Sequence, residues 1–209
     1  MEKIRYRIFT AVLALLLLAS TVYVGREVAA YVAGNKVKIG TEEERRCVVI
    51  DAGHGGDDPG KVGINGANEK DVNLRIAELV KGFLEANDIE VVMTRESDEG
   101  LYDPGASNKK VQDMKKRIEM IDEAAPLLTV SIHQNSYPEE YVHGAQVFYY
   151  TGSVQGQQLA EYIQDQMAER ADPENKRRIK ANDSYYLLKK TEVPIVIVEY
   201  YVPDRRTGL

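Results

Sequence analysis

Three apolar, β-branched runs in this 209-residue chain each lead into a polar residue suited to metal chemistry. Val48-Val49-Ile50 continues through Asp51-Ala52-Gly53 to His54. Leu128-Thr129-Val130-Ser131-Ile132 meets His133, and Ile195-Val196-Ile197-Val198 meets Glu199. Short apolar runs of this kind read as buried strands. Between them, apolar residues recur at helical spacing. Residues 71–87 carry Val72, Ile76, Leu79, Val80, Phe83 and Leu84 on one face. Residues 109–124 carry Met114, Ile118 and Ile121, and a third helix is expected over 154–170. Further strands are expected over 89–94 and 146–150. Strands alternating with helices predict an α/β fold. The expected architecture is a single domain on a mostly parallel twisted sheet, flanked by helices on both faces. In an open sheet of that class, ligands bind beyond the carboxyl ends of the strands. If the three runs are parallel neighbours, His54, His133 and Glu199 meet there.

The residue types around these strand ends narrow the chemistry. Histidine occurs three times, and His54 and His133 hold equivalent places. His143, beside Gly144, reads as a surface residue in a turn. Gly53, Gly55 and Gly56 let the backbone turn sharply after the strand and leave room for a ligand. A phosphate-binding loop would end in Gly-Lys-Ser/Thr, which is absent here. Catalytic zinc takes three protein ligands and keeps one position open. Two histidines and a carboxylate satisfy that. Residue chemistry alone leaves the carboxylate open among Glu69, Asp51, Asp57, Asp58 and Asp71. Glu69 stands where the glycine-rich loop meets the next helix; its plainer reading is a first-turn glutamate favoured by the helix dipole. Arg95, at the end of the second strand, suits a substrate carboxylate or, equally, a structural ion pair.

A net charge of −6 argues against a nucleic-acid binder, which usually carries a basic patch. The single cysteine, Cys47, excludes an intrachain disulfide and reads as a small buried hydrophobe. At the N-terminus, Lys3, Arg5 and Arg7 precede an apolar stretch over 8–24. That pattern predicts a signal peptide or, preferably, an uncleaved hydrophobic anchor helix within residues 1–25. Positive charge at its start places the N-terminus in the cytoplasm and the remainder outside. Residues 26–46, with the charged run Glu42-Glu43-Glu44-Arg45-Arg46, read as a linker, and the folded domain is expected over 47–209.

Four blocks then stand out together: Asp51-Ala52-Gly53-His54-Gly55-Gly56, Asn68-Glu69-Lys70-Asp71, Ser131-Ile132-His133-Gln134-Asn135 and Val198-Glu199. In order and rough spacing they resemble the signature blocks of the zinc-dependent N-acetylmuramoyl-L-alanine amidases, the amidase_3 family. The resemblance covers 47–199. Val92-Met93-Thr94-Arg95-Glu96-Ser97-Asp98, Gly144-Ala145-Gln146-Val147-Phe148-Tyr149-Tyr150 and Glu161-Tyr162-Ile163-Gln164-Asp165 resemble the germination-specific spore-cortex branch, of the CwlD type.

The resemblance implies a zinc ion, Zn2+, held by His54, Glu69 and His133, with Glu199 as the catalytic glutamate. It implies hydrolysis of the amide joining N-acetylmuramic acid to L-alanine in peptidoglycan. In that branch the reaction occurs in spore cortex during sporulation, and a partner deacetylase then permits muramic-δ-lactam to form. An accessory protein and a membrane-anchored enzyme facing the wall belong to the same expectation. Asn135, in the third block, and Arg95 are the candidate substrate-binding residues.

Two departures stand against this. Ala52 replaces the proline common in the first block. After the glutamate the family usually continues Gly-Phe-Leu-Ser/Thr-Asn and adds a helix, whereas this chain reads Tyr200-Tyr201-Val202-Pro203 and stops at Leu209. An uncovered last strand is therefore expected, at a cost of several kcal/mol given about 25 cal/mol per Å² of apolar surface. The alternative readings are an inactive peptidoglycan- or partner-binding remnant, and a zinc hydrolase of different cell-wall specificity.

Overall fold

The computed structural model describes residues 47–63, 65–134 and 144–200. In chain order its elements are β1 (Cys47–Ala52), α1 (Glu69–Glu85), β2 (Glu90–Met93), α2 (Lys109–Ala124), β3 (Leu128–Gln134), β4 (Gln146–Tyr150), α3 (Val154–Arg170), β5 (Lys180–Asn182), α4 (Tyr186–Lys190) and β6 (Ile195–Tyr200). All the strands join one six-stranded sheet in the order β2-β1-β3-β6-β4-β5. β1 pairs in parallel with both β2 and β3, β3 pairs in parallel with β6, and β4 with β5. Among the described strands, only the β4–β6 pairing is antiparallel. The three apolar runs are therefore adjacent parallel strands, although β6 is the last of the described elements and β3 comes much earlier.

Both faces of the sheet are covered, so its central strands read as continuous apolar runs rather than alternating ones. Successive side chains of a strand point to opposite faces. Val48, Ile50 and Ala52 of β1 pack with Ile132 and Met93 against Ala77 of α1. On the same side, Val147, Val196 and Val198 meet Ala160 of α3. The opposite face offers Val49, Phe148, Ile195 and Ile197, which pack on Ile121 of α2 and on Leu187 and Leu188 of α4. Capping agrees with these boundaries. Asn108 accepts a hydrogen bond from the Val111 N–H at 3.1 Å, and Ser153 accepts one from the Gly156 N–H at 2.9 Å, satisfying first-turn donors of α2 and α3. α2 stops where Ala125 takes a left-handed φ of 42°, just before Pro126.

Helices α2 and α3 and strand β4 fall where the spacing predicts them. α1 begins earlier than expected because the Glu69 N–H is bonded to the Lys61 carbonyl at 2.8 Å, closing the loop onto the helix start. β3 and β6 run further than their apolar cores, since His133 pairs with Glu199 and Gln134 with Tyr200 in the ladder. Both site candidates thus lie inside strands rather than after them. β5 and α4 have only three and five residues, too short for a periodicity to register. The anchor segment, the linker and residues 201–209 lie outside the described residues. Among the described residues, no helix is long and apolar enough to cross a membrane.

Ile121 is fully buried between α2 and the sheet. Ile121→Ala is expected to lower the unfolding free energy by about 2–5 kcal/mol, the usual cost of a core cavity; urea unfolding of the two proteins side by side measures it.

Candidate metal centre

The turn after β1 is held by buried cations. Arg117, from α2, donates through Nη1 to the Ala52 carbonyl at 2.8 Å and through Nη2 to the His54 carbonyl at 2.7 Å. Arg95 donates through Nε to the Ala52 carbonyl at 2.9 Å and through Nη2 to the Gly53 carbonyl at 3.2 Å. Asn73 of α1 also bonds the Gly53 carbonyl, at 3.1 Å. Three successive carbonyls are thereby satisfied inside the protein, as buried backbone requires. This grip keeps His54 at a left-handed φ of 64°, a conformation that a non-glycine residue rarely adopts.

The charge of Arg117 is matched by Asp51 and Asp113, each 2.6 Å away. Asp51 also accepts hydrogen bonds from Thr94 Oγ1 at 2.7 Å and Ser131 Oγ at 2.5 Å. Burial alone would raise the Asp51 pKa; Arg117 and the two hydroxyls outweigh it and bring it to about 2. Burial works against the charge on Arg117 as well, but Asp51 and Asp113 raise its pKa above the ordinary value.

Beyond this turn three candidate ligands converge. Glu69 Oε1 lies 3.1 Å from His54 Nε2 and 3.1 Å from His133 Nδ1. One ligand atom from each of the three residues falls within 4.8 Å of the others. Tetrahedral zinc with bonds of about 2.0–2.1 Å separates its ligand atoms by roughly 3.4 Å, so this donor set fits that ion. Asp58 Oδ2 sits 2.9 Å from His54 Nδ1 and orients the ring so that Nε2 faces the cluster. Glu69 is further tied by the Lys61 N–H at 2.8 Å and the Gln134 N–H at 3.0 Å. Burial opposes its charge, but the hydrogen bonds from His133, His54 and Lys61 hold its pKa well below the carboxylate range. For His54, burial pulls the pKa down, and Glu69 and Asp58 overcome that and raise it.

Glycines make the cluster possible at two places. A Cβ on Gly53 would lie 2.3 Å from His133 Cε1, inside the ring's own volume. Gly60 has a φ of 66°, and a Cβ there would lie 2.6 Å from Glu69 Oε2.

The structure also sorts the carboxylates that residue chemistry left open. Asp51 pairs with Arg117, Asp57 with Lys109, Asp58 with the outer nitrogen of His54, and Asp71 accepts from Asn68. Only Glu69, among these five, offers an oxygen to both histidines. Arg95 requires a correction. It is buried, and its guanidinium is spent on the backbone carbonyls of Ala52, Gly53, Lys70 and Ser97. Among the described residues it forms no ion pair, because these backbone carbonyls take its donors. Asn135 and His143 lie outside the described residues.

Glu199 faces the same cleft as the histidines. His133 and Glu199 are register partners on parallel strands, so their side chains leave the sheet on one side. Tyr185 Oη donates to Glu199 Oε1 at 3.1 Å. The cleft, about 560 Å³, is lined by His54, His133, Glu199, Tyr185, Lys110 and Met114 among others. Arg117 and Tyr185 were not anticipated from sequence. Arg117 did leave a signal, a charged residue set among Met114, Ile118 and Ile121 on the apolar stripe of a helix, where charge is rarely buried unless paired.

The fold and site define an α/β protein with a His–Glu–His group at the carboxyl edge of its sheet. The family model of N-acetylmuramoyl-L-alanine amidases, Amidase_3, matches residues 48–206, and the chain belongs to that family. It is 36% identical over 158 residues to the germination-specific N-acetylmuramoyl-L-alanine amidase of Bacillus subtilis (strain 168), covering 74% of this chain and 65% of that one. It is 32% identical to the N-acetylmuramoyl-L-alanine amidase AmiA of Escherichia coli (strain K12), over 73% of this chain and 48% of the relative. The aligned part thus spans less than two thirds of the length of either curated relative. Among solved structures, the CwlD amidase from Clostridioides difficile in complex with the GerS lipoprotein aligns with a TM-score of 0.72 at 33% identity, over 75% of this chain and 82% of that chain.

The buried network carries an acid limit. Asp51 has a folded pKa of about 2 against an ordinary 3.8, so its contribution is complete above 3.8 and is lost as pH falls through about 2. The loss amounts to about 2 kcal/mol. Urea midpoints followed between pH 4 and pH 2 are expected to fall more steeply in the parent than in Asp51→Asn, which starts less stable but lacks this titration.

Proposed function

We propose that this protein is a zinc-dependent N-acetylmuramoyl-L-alanine amidase that cuts the amide between N-acetylmuramic acid and L-alanine in peptidoglycan. Its substrate is spore-cortex peptidoglycan during sporulation, in the reaction sequence that leads to muramic-δ-lactam. The observation that carries the reading is one Glu69 oxygen standing 3.1 Å from a ring nitrogen of each of two histidines, beside a cleft that also exposes Glu199.

His54 through Nε2, His133 through Nδ1 and the Glu69 carboxylate would hold the zinc. Zinc in such a site supplies Lewis acidity, making an amide carbonyl more electrophilic and a water more acidic. Glu199 is the group that handles the proton. Its carboxylate accepts it from the attacking water and passes it to the leaving amine nitrogen, as general acid–base catalysis requires. Asp58 holds the His54 ring, and Arg117 and Arg95 hold the backbone that carries it, so the ligands are in place before substrate arrives. Organisation of this kind removes reorganisation from the reaction step.

The same reading places the catalytic domain, residues 47–209, outside the cytoplasmic membrane, joined by residues 26–46 to an anchor within residues 1–25. The basic head and the apolar run over 8–24 support it. A lipoprotein serves as accessory partner; the structure of the CwlD amidase with GerS supports this by analogy. A deacetylase acts downstream on the product.

Glu199→Gln is expected to keep one zinc per chain and to lose about 10²–10⁴ in turnover, the usual share of a general acid–base group. The readout is release of free L-alanine amino termini from purified peptidoglycan. His54→Ala and His133→Ala are each expected to lose the zinc, measured by metal analysis of the purified full chain. Full metal content in both would end the ligand assignment.

A further inference from the structure

Three contacts bear on how Tyr185 is held. Its N–H donates to Asn182 Oδ1 at 2.8 Å, in a turn that also takes the Ser184 N–H at 2.8 Å. Its ring packs on Phe148 of the neighbouring strand, with centroids 5.4 Å apart and planes tilted by 54°. Its hydroxyl reaches Glu199 Oε1 at 3.1 Å. The first two contacts need only a backbone and an aromatic ring, which phenylalanine would supply equally. The third needs the oxygen, and it is spent on the carboxylate beside the His–Glu–His cluster.

A glutamate side chain facing an open cleft samples several rotamers, and fixing them has an entropic cost. A donor held by its own backbone and ring meets that cost before substrate binds. We propose that Tyr185 is a positioning residue for Glu199. Its hydroxyl donates to one carboxylate oxygen, sets the rotamer and leaves the second oxygen directed to the cleft. The hydroxyl serves only as a donor to the carboxylate. It therefore orients the carboxylate and transfers nothing. This inference rests on the reading of Glu199 as the proton carrier.

The test uses the zinc-loaded full chain and purified peptidoglycan, following free amino termini. Tyr185→Phe keeps the ring and the helix start and removes the hydroxyl that donates to Glu199. The expected result is a fall in kcat of about tenfold, the scale of one hydrogen bond to a charged group. KM, zinc stoichiometry and the thermal midpoint should be unchanged. A merely structural tyrosine gives a different pattern, and either form of it overturns the inference: kcat within twofold of the parent, or a rate loss matched by lost zinc or a lowered midpoint. Glu199→Gln is run alongside. If it retains the parent rate, the reading of Glu199 itself fails; if it is slow and Tyr185→Phe is not, only the positioning role fails.

Discussion

The buried pair between Asp51 and Arg117 is the constraint on which the site depends. Removing both charges from water costs several kcal/mol each, and attraction alone seldom repays it. Here both groups have further buried partners. Asp51 takes two hydroxyl hydrogens besides the guanidinium, and Arg117 reaches Asp113 and two backbone carbonyls. An apolar pair of equal volume would pack, but it would take the Arg117 hydrogen bond from the His54 carbonyl and leave the Ala52 carbonyl to Arg95 alone. The pair therefore buys geometry at the turn, and with it the direction in which His54 points.

Glu69 plays the matching part from the other side. One carboxylate, buried at the first residue of α1, bonds the Lys61 N–H, the Gln134 N–H and both histidines. It couples the glycine-rich loop, the end of β3 and the start of α1. A candidate ligand that also organises its surroundings cannot be replaced by another nearby carboxylate, because Asp57 and Asp58 are tied to Lys109 and to the outer edge of His54. Tyr185 extends the same logic to Glu199: a polar side chain at the cleft is held by a donor that is itself anchored elsewhere.

Much of this was legible in the chain. The β-branched runs ending on His54, His133 and Glu199 announced buried parallel strands with polar residues at their carboxyl ends, and the family blocks selected Glu69. Other parts were not legible. Arg95 has the composition of a carboxylate binder, yet its donors go to the Ala52 and Gly53 carbonyls of the turn, to that of Lys70 at the start of α1 and to that of Ser97. The short β5 and α4 carry too few residues for a pattern, and α4 begins just after Tyr185.

What the amino-acid order determined by itself was periodicity: which stretches are apolar, on which faces, and where polar residues interrupt them. That follows from local geometry, because side chains repeat every two residues in a strand and about every 3.6 in a helix. What only the tertiary structure decided was which donors meet. β6 slots between β3 and β4 and sets Glu199 opposite His133, and α2 carries Arg117 some sixty residues along the chain to Asp51, at a sequence separation of 66. Such pairings depend on strand order and helix placement, which no local pattern encodes.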